Sequence, residues 1–108
     1  SYFLILDEFD AIVDTPISTS ILSCYPNPFN PQTTINYNLE YDSEVEIQIY
    51  NLVGQKIYNL KPSLNKKGIN KFTWRGYDNN GKELPSGVYI IKIITSDHIL
   101  TQKVTLLK

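Results

Sequence analysis

Few residues in this sequence have the chemistry of a nucleophile, a base or a metal ligand. One cysteine, Cys24, and one histidine, His98, are the full complement of those two types. A thiol and an imidazole can pair as nucleophile and base, but a working site also needs a third group to orient the base. Cys24 ends a short apolar run and His98 lies in a Ser96-Asp97-His98 turn; neither belongs to a motif of that kind. One His and one Cys also fall short of the four ligands of a structural zinc site. The stretch Asp78-Asn79-Asn80-Gly81-Lys82-Glu83 has the oxygen-rich character of a calcium loop. An EF-hand loop, however, places its glycine sixth and a bidentate Glu twelfth, between helices. Here strand-like sequence flanks the stretch and the spacing fails, whereas an Asn-Gly hairpin turn of type I′ accounts for the same residues. No catalytic residue, metal ligand or cofactor site is assigned, and the chain reads as non-catalytic.

The aromatic residues are the other candidates for a site. Tyr37, Trp74 and Tyr89 lie within alternating segments and read as core. Tyr41, Tyr58 and Tyr77 are better placed for exposure, though at no repeated spacing, so a sugar-stacking platform has weak support. Cys24 reads as a small buried residue. With ten Lys and Arg against eleven Asp and Glu, the net charge is −1 and the charges are scattered. No basic stripe exists to neutralise a run of phosphates, so nucleic acid is not an expected partner. The apolar run Tyr2–Leu6 is followed at once by Asp7 and Glu8 and is far below the ~20 residues of a membrane helix. Direct membrane insertion is not expected.

The elements that would hold such residues are β-strands. Ile, Tyr, Val, Thr and Phe are abundant, Ala occurs only as Ala11 and Met is absent; these are residues that suit a pleated, half-buried surface. Residues 1–20 read as a linker or the remnant of a preceding domain, with Tyr2–Leu6 a possible edge strand and Asp14–Ser20, broken by Pro16, an extended link. From residue 21 strands recur at close spacing. They are expected at Ile21–Tyr25, Thr33–Glu40, Glu44–Tyr50, Lys56–Leu60, Gly68–Trp74, Val88–Thr95 and Ile99–Leu107, with Val88–Thr95, the most apolar, as the central one. Ile35, Tyr37 and Leu39 alternate with Asn36 and Asn38, and Val45, Ile47 and Ile49 alternate with glutamates and a glutamine, the period of half-buried antiparallel strands. Pro26, Pro28 and Pro31 end the first strand in a segment that cannot donate ladder hydrogen bonds at those positions. Seven strands predict an all-β, Ig-like antiparallel sandwich occupying residues 21–108.

Six segments are more specific than this pattern. Tyr25-Pro26-Asn27-Pro28-Phe29-Asn30-Pro31-Gln32-Thr33-Thr34-Ile35 resembles the opening of the type A C-terminal sorting domains of the type IX secretion system, and is similar to the related Ig-like domain of the flagellar hook-capping protein. Further matches follow in the same order: Ile49 to Gln55, Trp74-Arg75-Gly76, Asp78 to Gly81, Pro85-Ser86-Gly87-Val88-Tyr89 and Lys103 to Lys108. Two positions depart from the pattern: Arg75 stands where the family usually has Asp or Asn, and Cys24 where it commonly has Asn.

The resemblance implies an Ig-like sandwich and a sorting role. Such a domain directs an N-terminal cargo from the periplasm through an outer-membrane translocon to the cell surface or the medium. A sortase-like cysteine peptidase then removes it, here within residues 14–22. Pro85, Gly87, Tyr89, Lys103 and Lys108 are the residues the resemblance associates with export. A further expectation is that the terminal strand offers its edge to the translocon by β-augmentation. The domain would act as a monomer without a cofactor. Two other readings stay open: an uncleaved structural Ig-like spacer or assembly domain, and a carbohydrate-binding accessory module of a secreted hydrolase.

Overall fold

A computed structural model describes residues 18–108 of the chain. The Tyr2–Leu6 run, and the linker as far as Ile17, lie outside the described residues.

Among the described residues the alternation of apolar and polar residues produces seven strands, β1 (Ser20–Tyr25), β2 (Thr33–Leu39), β3 (Ser43–Asn51), β4 (Lys56–Asn65), β5 (Gly68–Trp74), β6 (Gly87–Ile94) and β7 (Ile99–Leu106). They form two antiparallel sheets, one ordered β1-β2-β5 and the other β4-β3-β6-β7. The expected all-β sandwich is thus the observed fold, and the apolar strand β6 lies inside its sheet, between β3 and β7. Each strand turns its apolar positions inward: Ile35, Tyr37 and Leu39 from β2, Val45, Ile47 and Ile49 from β3, Phe72 and Trp74 from β5, Tyr89, Ile91 and Ile93 from β6, Val104 and Leu106 from β7. Among the described residues one buried apolar side chain of the core, Phe29, comes from no strand.

Two boundaries differ from expectation. Strand β4 continues five residues past Leu60 to Asn65, through Pro62. It can do so because β4 is an edge strand, where the missing N–H of a proline faces no partner; the register shift between Val45 and Ile47 on β3 accommodates the irregularity. Asp78–Gly81 is a turn, but it lies in the crossover from β5 to β6 and closes only the isolated Tyr77–Glu83 bridge. The Gly81 N–H donates to the Asp78 carbonyl at 3.0 Å, so Gly81 is the fourth residue of the turn rather than an interior one, as type I′ would require. The Asp78 carboxylate accepts from the Asn80 and Lys82 N–H groups, both at 2.9 Å, and so fixes the loop from its side chain.

Antiparallel order sorts the connections into two poles. One pole carries the end of β1, the start of β2, the β3–β4 turn, the β5–β6 crossover and the end of β7. The opposite pole carries the β2–β3, β4–β5 and β6–β7 turns together with the start of β1. There the Ser18 carbonyl accepts from Asn38 Nδ2 (3.0 Å) and Thr19 Oγ1 accepts from the Glu40 N–H (3.0 Å), so the chain joins β2 just before β1 begins.

Ile91, fully buried on the central strand β6, tests this core. Ile91→Ala should lower unfolding free energy by about 2–5 kcal/mol, measured by denaturant titration; a loss within error would contradict its placement.

Candidate functional site

The Cys24–His98 pairing is ruled out by topology. Cys24 pairs with Ile35 near one pole, while His98 lies in the β6–β7 turn at the other. His98 Nδ1 instead contacts Asp97 Oδ1 at 2.9 Å, and that hydrogen bond holds the Asp97 carboxyl below its usual range. Cys24 is half-buried, with Sγ 3.5 Å from Thr33 Oγ1. Thr33 spends its own proton on the Pro26 carbonyl at 2.6 Å, so the thiol is the donor of that pair. Among the described residues no group of three His, Cys, Asp or Glu side chains is arranged to hold a metal ion. Tyr58, expected to be exposed, is half-buried and packs on Phe72 with ring centroids 6.1 Å apart, because β4 turns it toward the core. That removes one of the three tyrosines on which a sugar platform would rest.

The six distinctive segments, spread from Tyr25 to Lys108, all meet at the pole opposite Ser18. Three buried aromatic rings hold them together. Trp74 lies at the centre, 5.6 Å from Phe29 and 5.3 Å from Tyr89 between centroids, the second contact edge-on at 74°. Each member of the trio also ties down a connecting segment. Trp74 Nε1 donates to the Tyr77 carbonyl at 3.0 Å, and the Tyr89 hydroxyl to the Pro85 carbonyl at 2.6 Å. Phe29 does so through its backbone: its N–H donates to the Thr105 carbonyl at 2.9 Å and its carbonyl accepts from the Leu107 N–H at 3.1 Å. Residues 26–31 therefore leave the β1 sheet, form a parallel bridge with Leu106 on β7, and return as β2. Gly76 completes the packing. It is buried with φ 78°, and a Cβ there would come within 3.1 Å of Leu106 Cδ2.

The five residues implicated in export occupy different parts of this region. Tyr89 is 4% exposed and supports the pole from within. Pro85 is exposed and receives the Tyr89 hydroxyl. Gly87 opens β6 opposite Leu106, and a Cβ at this position would meet nothing closer than 3.9 Å, so the fold itself does not require glycine here. Pro85, Gly87 and Tyr89 line a shallow groove of about 290 Å³ with Leu52 and Leu84. Lys103 is exposed on β7 opposite Ile90, away from that groove. Lys108 is held at the pole, its N–H donating to Ser86 Oγ at 2.9 Å and its Nζ 3.5 Å from Glu83 Oε1. The expectation that β7 offers a free edge is corrected over its last half. Residues 27–29 already occupy that edge, because Phe29 must cross to this sheet to bury its ring.

A larger cleft, about 500 Å³, opens beside Lys108; Pro31, Gln32, Arg75, Tyr77 and Leu106 are among its walls. Asn27, Phe29 and Thr33 were visible in the sequence as parts of a motif, but their roles as clamp, plug and anchor depend on the tertiary fold: Asn27 bonds Lys103 and Thr105 across 76 and 78 positions, and Phe29 packs on Trp74.

These features define a class, a seven-stranded Ig-like module whose distinctive surface lies at the pole away from its N-terminal connection. Comparison with known proteins identifies which. Residues 23–106 match the secretion system C-terminal sorting domain family, and the chain belongs to it, a type IX sorting domain. Among solved structures the fold is similar to part of dimeric latent PorU from Porphyromonas gingivalis (TM-score 0.67, 16% identity, covering 86% of this chain and 10% of that one). It is also similar to FlgD from P. aeruginosa (TM-score 0.57, 21% identity, 83% and 65% covered). A third similar structure is PorZ, an essential surface component of the type IX secretion system of P. gingivalis (TM-score 0.54, 17% identity, 82% and 11% covered). The chain thus spans about a tenth of PorU and of PorZ, and about two thirds of FlgD. No curated protein matches. The domain carries a type IX sorting signal, which the secretion machinery recognises, and implies delivery to the cell surface or extracellular space. Sorting domains of this family are in general non-catalytic.

Burial raises the ionisation range of the Tyr37 and Tyr89 hydroxyls. A raised folded-state value means the stability these groups contribute is complete below the unfolded tyrosine value, about pH 10, and is lost as pH rises through the folded one. Unfolding titrations should therefore show a stability plateau at neutral pH and a decline above about pH 10, shallower in Tyr37→Phe/Tyr89→Phe. At pH 7, Tyr89→Phe should cost about 1–2 kcal/mol, from the hydrogen bond to Pro85. A decline of unchanged steepness in the double variant would refute the assignment.

Proposed function

We propose that this domain escorts an N-terminal cargo from the periplasm through an outer-membrane translocon, and that a sortase-like cysteine peptidase then cuts it off within residues 14–22. The carrying observation is the separation of the poles. The distinctive segments gather at one end, and Ser18, which leads toward the cargo, lies at the other. A translocon component can thus grip the domain at its far end without meeting a folded cargo. Ser18, within the cut segment, is exposed at the opposite pole, clear of that grip and open to a protease.

Within this reading the export residues divide by role. Lys108, Pro85 and Gly87 lie at the gripped pole, Tyr89 positions Pro85 from beneath, and Lys103 presents a charge on the outer face of β7. The domain works as a monomer and contributes no chemistry.

A fusion of residues 15–108 to a periplasmic reporter, expressed in a bacterium with a type IX system, should deliver the reporter to the surface or the medium. It should stay inside a strain lacking the translocon. Retention of the reporter in the periplasm of the competent strain would refute the sorting reading.

A further inference from the structure

The two outer faces of the sandwich differ in charge. Strands β1, β2 and β5 contain no Asp or Glu, and Lys71 is their one charged residue. The β4–β5 turn adds Lys66 and Lys67 at the Ser18 pole. Asp42 accepts from the Lys67 N–H at 2.8 Å and lies 3.7 Å from Lys66 Nζ, whereas the side chains of Lys67 and Lys71 form no ion pair among the described residues. Ile69 stands between them in the sequence, 67% exposed, and faces outward with Lys71 because Phe72 and Trp74 face in. The outer face of the other sheet instead carries Glu44 and Glu46, on β3 at the same pole.

The chain enters on the basic face. Asn38, 5% exposed, donates from Nδ2 to the Ser18 carbonyl at 3.0 Å and is the cross-strand neighbour of Ile69. Residues 1–17, outside the described residues, therefore attach about one strand spacing from Ile69. They hold four of the eleven acidic residues, Asp7, Glu8, Asp10 and Asp14, and none of the ten basic ones. Phe9, Ile12 and Val13 lie among those acids. From Ser18, Asp14 has a reach of about 13 Å, enough to meet Lys71, two residues along β5 from Ile69.

We propose that Asp7–Asp14 docks on the outer face of the β1-β2-β5 sheet, with carboxylates on Lys67 and Lys71 and an apolar side chain over Ile69. Each exposed ion pair is weak, but a short tether gives an effective concentration in the millimolar range, so a tight contact is not required. Glu44 and Glu46 repel the same segment from the other sheet, so charge selects the face. Docking gates the cut placed within residues 14–22; that consequence rests on the sorting reading above, and the docking itself does not. Ser18 stays exposed, yet a stretch held at Asn38 on one side and at Lys67 and Lys71 on the other cannot be drawn into a peptidase until the docked part lets go.

The test uses the purified chain, residues 1–108. A carbodiimide joins a carboxylate to a lysine amine in contact with it, with loss of water, and mass spectrometry then locates the bond. In low salt, Asp7–Asp14 should be joined to Lys67 or Lys71 at least tenfold more often than to Lys56 or Lys61 on β4. The preference should vanish in about 1 M salt, where the screening length is about 3 Å. A broad-specificity protease should cut within residues 14–22 at least fivefold faster in Lys67→Glu/Lys71→Glu than in the unaltered chain. Lys56→Glu/Lys61→Glu, with the same change in net charge, should be cut at the original rate. Adding Asp7→Lys, Glu8→Lys, Asp10→Lys and Asp14→Lys to Lys67→Glu/Lys71→Glu should restore the slow rate.

Cross-links spread evenly over the four lysines would overturn the docking. Selective cross-links with no change in cutting would overturn the gate. Faster cutting that the reversed charges fail to slow would trace to a loosened β5, and overturns the gate as well. None of these outcomes depends on export, so retention of the reporter fusion in the periplasm would overturn the sorting reading and leave the docking standing.

Discussion

The pole that carries the signal depends on where one phenylalanine goes. Phe29 belongs to no strand, yet its ring is as buried as any in the core and touches Trp74. Burying it forces residues 26–31 across from the β1 sheet to the β7 edge, and that crossing has several consequences. It closes the gap between the two sheets at that pole and satisfies the outward backbone groups of the terminal strand. It also places the proline-rich segment beside the last residue of the chain. An aromatic side chain of this size removes on the order of 150–250 Å² from water, enough to hold a connecting segment that has little ladder pairing of its own.

The same economy of means recurs at both edges of the four-stranded sheet. Exposed edges invite pairing with other chains, and here an asparagine side chain from a loop occupies each one. Asn27 covers the last half of β7 and Asn79 covers β4 at Asn59, each matching a donor and an acceptor on the strand. An amide side chain suits this because it carries both groups of a peptide bond in one plane. The neighbouring aspartate, Asp78, holds Asn79 in position by fixing the turn that carries it.

Much of the fold was legible in the sequence. Period-two alternation in β2 and β3 identified the buried faces, and the double-sided apolar run of β6 marked a strand inside its sheet. The lengths of strands were less legible. Pro62 argues against a strand, and only the edge position of β4 makes it tolerable. Tyr58 looked exposed because β4 alternates poorly; its inward orientation follows from pairing with Ile49 on β3. Asp78–Gly81 announced a turn, though not that the turn would serve an edge strand some twenty residues earlier.

The site divides along the same line. The sequence by itself determined that the chain is an antiparallel β module, that its six distinctive segments belong together as a sorting domain, and that one cysteine and one histidine are all it has of those reactive types. The first and last follow from local properties, namely residue type, alternation, and the fixed conformational limits of proline and glycine; the second follows from the resemblance of those segments to the family. Only the tertiary structure decided that the segments share one pole, that Ser18 leaves from the other, and that the terminal strand is clamped rather than open. Those facts depend on strand order and on hydrogen bonds between residues as far apart as Asn27 and Lys103, and no local pattern encodes such a distance. Strand order follows from which apolar faces can be buried together, and that is a property of the whole core.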